Sequence, residues 1–210
     1  MLVLLISAIS VAFFHALAPD HWLPFVALAK GGKWKMRQLG LITALAGIGH
    51  VASSLLIGVI GLWAGWAVHR LEGVEAWRGS VAIWMLIGFG AAYTLWGLKH
   101  SQHQHPHMTV QEAVKVYATR RVWILIAVLV FGPCEPLIPL MFLSYKEGLA
   151  AIIAVSTLFS LVTIAMIVGQ SCLTYAGVQS IHSRRLERYS HALAGATIVA
   201  TGLLVIVLGI

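Results

Sequence analysis

Long apolar runs separated by short polar loops constrain this sequence more than any other feature. A helix needs ~20 apolar residues to cross the ~30 Å hydrocarbon core of a bilayer. Only 10% of the 210 residues are charged, against about a quarter in soluble domains. We therefore predict an all-α membrane protein, a single transmembrane domain over residues 1–210. Its six helices are expected at about 2–29, 39–67, 79–98, 122–144, 149–177 and 191–210.

The distribution of basic residues predicts the orientation of these helices. The first run lacks the basic start of a secretory signal peptide, so we expect it to be kept as a membrane helix. Eleven lysines and arginines follow the first, third and fifth runs, whereas only Arg70, Arg78 and Lys146 follow the second and fourth. Basic loops stay in the cytoplasm. We expect a multi-pass protein of a bacterial-type inner membrane, with both termini outside, a lipid partner and no nucleic-acid partner.

The first run carries two histidines and a carboxylate at membrane depth, in His15-Ala-Leu-Ala-Pro19-Asp20-His21. On an unbroken helix the two imidazoles would point about 120° apart and lie ~9 Å apart along the axis. Pro19 cannot donate to the carbonyl of His15, so it favours a break that turns both rings toward one cavity. Ionisable groups in a membrane helix are costly unless they pair or face water, and they commonly mark a functional site.

Two further runs place metal-binding side chains near the same depth. His50 follows Gly47-Ile-Gly in the second run, and Cys134-Glu135 lies between Pro133 and Pro136 in the fourth. His21, His50 and Cys134 each lie about 13–18 Å from the basic ends of their runs, close to the bilayer midplane. Imidazole, thiolate and carboxylate ligands suit nickel, cobalt or zinc better than magnesium or calcium.

The predicted cytoplasmic loop over 99–121 adds a second histidine group. Tracts of this kind commonly bind metal, and a flexible tract would collect or sense ions rather than impose a geometry. Thr109-Val-Gln-Glu112 has the spacing of a helix capping box, so a short amphipathic helix is expected to follow the tract. The four histidines are His100, His103, His105 and His107.

A weak internal symmetry links the two proline segments. Ala18-Pro19-Asp20-His21 lies in the first run and Gly132-Pro133-Cys134-Glu135-Pro136 in the fourth, so each segment opens a set of three helices. With three helices per half, the second half must enter the membrane upside down. Proline-interrupted segments at matching places in inverted halves point to the binding site of a transporter. We predict a 3 + 3 inverted repeat whose helices 1 and 4 are broken at these motifs.

The first-run motif resembles the signature of nickel/cobalt transporters of the NiCoT and NicO type, which have two histidines six residues apart with acidic residues between them. The matching residues are His15, Ala16, Asp20 and His21, while Ala18 stands where many members carry an acidic residue. Gly49-His50 with Ser53 and Ser54 is similar to the second-helix pattern of that group, and the histidine-rich loop is similar to its efflux members. Gly-Pro-Cys in the fourth run resembles the wider LysE/DsbD-like membrane transporter superfamily.

These patterns together predict transport of a divalent transition-metal ion, nickel-, cobalt- or zinc-like, without a prosthetic group and without enzyme activity. The predicted midplane ligands are His15, Asp20, His21, His50, Cys134 and Glu135. Two alternatives stay open at this point: a membrane thiol–disulfide electron carrier of the cytochrome c biogenesis type, and an exporter of a small anion such as sulfite. The sequence also leaves a homo-oligomer open.

Overall fold

The computed structural model describes residues 1–65, 68–102, 110–179 and 189–208, and all regular structure in these ranges is helical. The predicted ligands His103, His105 and His107 lie outside the described residues, as does the side chain of His100. Eight α-helices are described: α1 (Leu2–Ala16), α2 (Leu23–Gly31), α3 (Met36–Trp63), α4 (Val68–Gln102), α5 (Val110–Phe131), α6 (Leu137–Tyr145), α7 (Leu149–Gln179) and α8 (Ser190–Leu208).

Four of the described helices are long and apolar enough to cross a membrane. They are α3, most of α4 (70–99), α7 and α8, and α1 is a shorter apolar helix. Many large apolar side chains point outward from them, including Trp63, Leu173 and Val207. An outer surface of this kind is stable in lipid rather than in water. The prediction of an all-α, multi-pass membrane protein is confirmed at this level.

Two helices begin earlier than the sequence indicates. We expected the third span at 79–98, but α4 starts at Val68, and charged residues that we assigned to a loop lie within it. Arg70 and Arg78 both lie in α4. Arg78 is buried and does not belong in the loop count used for orientation, whereas Arg70 is exposed near the start of the helix, which leaves Arg70 and Lys146 after the second and fourth runs. Similarly, α5 runs without interruption from Val110 to Phe131. No glycine or proline interrupts that stretch, so nothing separates an amphipathic helix from the span.

The first helical run ends before its proline. α1 ends at Ala16, a 3₁₀ turn covers Pro19–His21, and α2 begins at Leu23. The carbonyl of Ala16 is released here from the helical pattern, and the Gln170 side-chain amide of α7 donates to it (3.2 Å). Because a bare carbonyl is costly where water is excluded, this contact stabilises the end of α1.

Glycines allow α4 and α8 to pack closely along their length. A β-carbon added at Gly90 would lie within 3.0 Å of Val199, and one at Gly97 would meet the backbone of Ala192. From the other side, a β-carbon at Gly195 would meet the backbone of Gly90 and Thr94. Small residues at such crossings let membrane helices approach until their backbones touch.

We expect Gly195→Ala to destabilise the protein by about 1–3 kcal/mol, because the added methyl group overpacks a backbone contact that has no room to relax. The matched control is Gly88→Ala in α4, where an added β-carbon meets nothing within 4 Å. That variant should be unchanged or slightly more stable, because alanine favours helix over glycine. Thermal unfolding in detergent measures both. Equal unfolding temperatures for the two variants would show that this crossing is looser than described.

Candidate metal centre

Three imidazoles and one thiol converge between four segments of the chain. His15 lies in the last turn of α1, His21 in the 3₁₀ turn, His50 in the middle of α3, and Cys134 between α5 and α6. The ring centroids of His15 and His21 are 4.6 Å apart, those of His21 and His50 4.9 Å, and those of His15 and His50 5.7 Å. The three rings therefore lie in contact with one another.

The donor atoms of three of these residues are close enough to share one ion. His15 Nε2 lies 3.4 Å from His50 Nε2 and 3.5 Å from Cys134 Sγ. One donor atom from each of the three residues lies within 4.8 Å of the other two. Among the described residues, His15, His50 and Cys134 are the only group of three or more possible metal ligands.

Hydrogen bonds at the far ring nitrogens orient two of the imidazoles. His50 Nδ1 lies 3.0 Å from the carbonyl oxygen of Leu129, and His21 Nδ1 lies 2.9 Å from Asp20 Oδ1. Both oxygens only accept, so in each contact Nδ1 carries the proton and donates. In the neutral ring, Nε2 then keeps its lone pair, which is the arrangement found in most metal-binding histidines.

The described residues leave one nitrogen of His21 without a partner. His21 is only 4% exposed, and its Nε2 is buried without a hydrogen bond in the described part of the chain. A buried polar atom without a partner costs free energy. Such an atom is explained when a ligand or a water molecule satisfies it. Its ring lies against those of His15 and His50, so that ligand would be shared with them.

A cavity of about 870 Å³ opens beside the cluster. His15, Asp20, His21 and His50 line it, together with Glu135. Other parts of its wall come from the beginning of α4, at Ala76, and from the end of α8, at Leu208. The three imidazoles are therefore accessible to a small ion, whereas the Cys134 thiol is fully buried.

Three of the six predicted midplane ligands, Asp20, His21 and Glu135, do not join the donor group of His15, His50 and Cys134. The His21 ring lies beside the group, against the rings of His15 and His50. Asp20 contacts the cluster through His21 and orients that ring rather than offering an oxygen to the donor group. Glu135 is exposed and lines the cavity, but its carboxylate is not among the donors that lie within 4.8 Å of one another. The backbone explains this difference, because Pro133 and Pro136 start a new helix at Leu137 and adjacent residues at such a turn point in different directions.

A buried ion pair that the sequence patterns do not reveal lies next to Cys134. Glu75 and Arg78, both in α4, form a salt bridge and are 1% and 6% exposed. Glu75, and not Glu135, is the deeply buried carboxylate on this side of the site. The only signal in the sequence is that the two residues lie three positions apart, the spacing at which opposite charges meet on a helix. We assigned them to a loop.

Cys172, the second cysteine, lies far from the centre. A β-carbon placed on Gly40 would contact its sulfur at 3.7 Å, so Cys172 packs against the first turns of α3. Gly40 precedes His50 by ten residues, about 15 Å along a helix. Neither cysteine forms a disulfide in the described part of the chain.

Comparison with known proteins adds no family assignment. No family model matches the chain, and neither curated proteins nor solved structures give a significant match. The resemblance to nickel/cobalt transporters therefore stays a prediction that depends on the motifs quoted above.

Proposed function

We propose that this protein carries a divalent transition-metal ion across a membrane, and that the ion binds to His15, His50 and Cys134. The single observation that carries the proposal is the spacing of their donor atoms. Zinc binds imidazole nitrogen at about 2.0–2.1 Å and thiolate sulfur at about 2.3 Å in tetrahedral sites. From those bond lengths, two nitrogens should lie about 3.3–3.4 Å apart and a nitrogen and a sulfur about 3.6 Å apart. The distances here are 3.4 and 3.5 Å.

His21 lies beside this donor group without belonging to it, and we propose that its ring moves toward the ion as a fourth ligand. Its Nε2 has no other partner among the described residues, and Asp20 fixes the ring through the opposite nitrogen. A carboxylate behind a metal-binding histidine sets the tautomer and strengthens the ligand. Asp20 would thereby contribute negative charge without coordinating the ion. Two or three imidazoles with a thiolate favour zinc, cobalt or nickel, whereas magnesium and calcium require oxygen ligands.

The helix arrangement supports transport rather than storage. In the proposed topology, α1, the 3₁₀ turn and α2 cross the membrane together as one broken span, and α5 with α6 form another, which gives six spans. The non-helical backbone at mid-membrane depth would then line the cavity that holds the imidazoles, as it lines the binding site in transporters. The cavity extends from the imidazoles toward the beginning of α4 and the end of α8. From the distribution of basic residues, we expect both of these helix ends to lie outside.

The packing pattern agrees with a 3 + 3 inverted repeat. If α1–α4 correspond to α5–α8, a two-fold axis should pair α3 with α7 and α4 with α8, and both pairs are in contact. The same axis would exchange the contact between α1 and α7 with the contact between α5 and α3. It would exchange the contact between α2 and α7 with that between α6 and α3, and the contact between α2 and α8 with that between α6 and α4. All of these contacts are present, whereas the contact of α4 with α5 has no counterpart of similar extent between α8 and α1. The second helix of each broken pair, α2 or α6, has nine residues.

The two alternative functions gain less support. A thiol–disulfide carrier needs two thiols that can meet and exchange, and Cys172 packs about 15 Å of helix away from His50. A small anion would have to enter a cavity lined by the carboxylates of Asp20 and Glu135. Neither observation favours these functions over metal transport.

We expect Cys134→Ser to abolish the thiolate-to-cobalt charge-transfer band of the cobalt-loaded protein and to lower cobalt uptake into proteoliposomes by at least about tenfold. Loss of the softest donor weakens a site of this type. Cys172→Ser is the matched thiol control and should leave both measurements unchanged. In all of these proteins, the four histidines at 100–107 are replaced with asparagine so that only the membrane site is measured. Wild-type uptake no faster than in empty liposomes would refute the proposed function.

A further inference from the structure

A buried ion pair on α4 forms hydrogen bonds with the segment that carries Cys134. Charges inside a membrane protein are costly and persist only where they are paired and hydrogen-bonded. Glu75 and Arg78 meet that condition, because each contacts the other and several groups on neighbouring elements. None of these contacts belongs to the metal cluster itself.

Arg78 replaces helical hydrogen bonds that the α5 end lacks. In a continuous helix the amides of residues 134 and 136 would donate to the carbonyls of Val130 and Gly132. Residue 136 is a proline and has no amide hydrogen. The Cys134 amide donates to Ser54 and Glu75 instead of Val130, so neither carbonyl has its helical donor. The Arg78 guanidinium donates through Nη2 to both carbonyls, at 3.0 and 3.4 Å. A planar group with several donors suits this role better than an ammonium.

Glu75 binds the other side of the same break. The backbone amide of Cys134 donates to Glu75 Oε2 (3.1 Å) and to Ser54 Oγ (3.0 Å). Ser54 in turn donates its hydroxyl hydrogen to Glu75 Oε2 (2.9 Å). The carboxylate therefore holds the backbone nitrogen bonded to the α-carbon from which the Cys134 side chain projects.

The ion pair also reaches the turn of α3 that carries His50. Arg78 Nη2 donates to Ser53 Oγ (2.9 Å), and Ser53 donates to the carbonyl oxygen of His50 (2.8 Å). The sulfur donor and an imidazole donor of the site are thus connected through one network of buried hydrogen bonds. A small shift of Glu75 or Arg78 would change the distance between these two donors.

We propose that Glu75 and Arg78 are positioning residues, which fix the Cys134 thiol relative to His50 and thereby set the preference of the site for ions that bind sulfur. The metal part of this inference rests on the proposed function. The geometric part concerns the Cys134 backbone alone, so it is measurable without a metal ion.

The metal measurement compares Glu75→Gln with Glu72→Gln. Glu72 lies in the same helix and is exposed, so it controls for loss of one carboxylate. Loss of a partner behind a metal ligand typically costs about 10–100-fold in affinity. We expect a loss of cobalt affinity in that range for Glu75→Gln, with a weaker thiolate-to-cobalt band, and a change below about twofold for Glu72→Gln, whose side chain takes no part in the network.

The metal-free measurement is the alkylation rate of Cys134 by a small maleimide in the Cys172→Ser background. Losing a buried hydrogen bond to a charged group is worth tenfold or more in a local opening equilibrium. We expect alkylation at least about tenfold faster in Glu75→Gln than in Glu72→Gln. In Glu75→Gln the Arg78 charge is left without its partner. The doubly neutral Glu75→Gln/Arg78→Gln variant removes that charge as well, and it replaces the single variant in this measurement if the single variant does not fold. Cys134 in the doubly neutral variant should also be alkylated faster than in Glu72→Gln, because the charged groups that hold the segment have both been removed.

Unchanged alkylation together with an unchanged cobalt band in Glu75→Gln would overturn the positioning role. Restoration of slow alkylation in the doubly neutral variant would overturn it as well, because stability alone would then explain the pair. If wild-type protein shows no band that depends on Cys134, the proposed function fails instead, and the alkylation rates still decide whether the ion pair holds the Cys134 segment.

Discussion

Replacing His50 with alanine is expected to lower the affinity for zinc by at least about 100-fold, more than the loss of an outer-shell partner costs. His50 Nε2 lies 3.4 Å from His15 Nε2, and its Nδ1 is already engaged with the carbonyl oxygen of Leu129. Alanine removes a proposed ligand and also leaves that carbonyl without its donor. Competition with a chelator of known affinity, in protein lacking the histidines at 100–107, measures the change.

His191→Ala is the matched histidine control for this experiment. His191 is the second residue of α8, after Ser190, and its Nδ1 lies 2.7 Å from the hydroxyl oxygen of Tyr93. It is partly buried, like a ligand, but it takes no part in the cluster. Zinc affinity should therefore be unchanged in His191→Ala. An equal loss of affinity in both variants would mean that the measurement reports the stability of the bundle rather than coordination.

Arg78→Leu is expected to destabilise the protein by about 3–5 kcal/mol, because it leaves the Glu75 carboxylate buried without its partner. It also removes the donors to the Val130 and Gly132 carbonyls. Arg70→Leu in the same helix is the control, since Arg70 is exposed. It should change the free energy of unfolding by less than about 1 kcal/mol. Reversible unfolding in mixed micelles is the measurement.

The doubly neutral Glu75→Gln/Arg78→Gln variant separates charge from position. Removing both charges of a buried pair costs much less than removing one, because no unpaired charge remains. The double variant should therefore be more stable than Arg78→Leu. A double variant as unstable as Arg78→Leu would contradict the view that an unpaired carboxylate causes the loss.

The helical architecture is largely readable from the sequence, because apolar length decides it. The starts of α4 and α5 are the exceptions, and that of α4 bears on the site. Arg70, Glu72, Glu75 and Arg78 fall within eleven residues of its first residue, and local composition assigns such a segment to a loop. Its helical state depends on burial of Glu75 and Arg78 against α3 and the end of α5, which is a tertiary effect. No periodicity within the segment reveals that partner.

The site was predictable in part for an equally physical reason. Proline positions are local, so the sequence indicates that the chain around Pro19 and Pro133 departs from a regular helix. These two breaks in the helices predict that the side chains of His15, His21 and Cys134 can reach one site. Side-chain direction at an irregular turn is not local. For this reason the sequence did not distinguish Cys134, which points inward, from Glu135, which lines the cavity.

X-ray absorption at the zinc edge tests the central claim most directly. The protein would be loaded with one equivalent of zinc after the histidines at 100–107 have been replaced with asparagine. The geometry predicts one sulfur at about 2.3 Å and two or three nitrogens at about 2.0–2.1 Å, with the sulfur lost in Cys134→Ser and kept in Cys172→Ser. A first shell of nitrogen and oxygen alone in the wild-type site would contradict the convergence of His15, His50 and Cys134 on one ion.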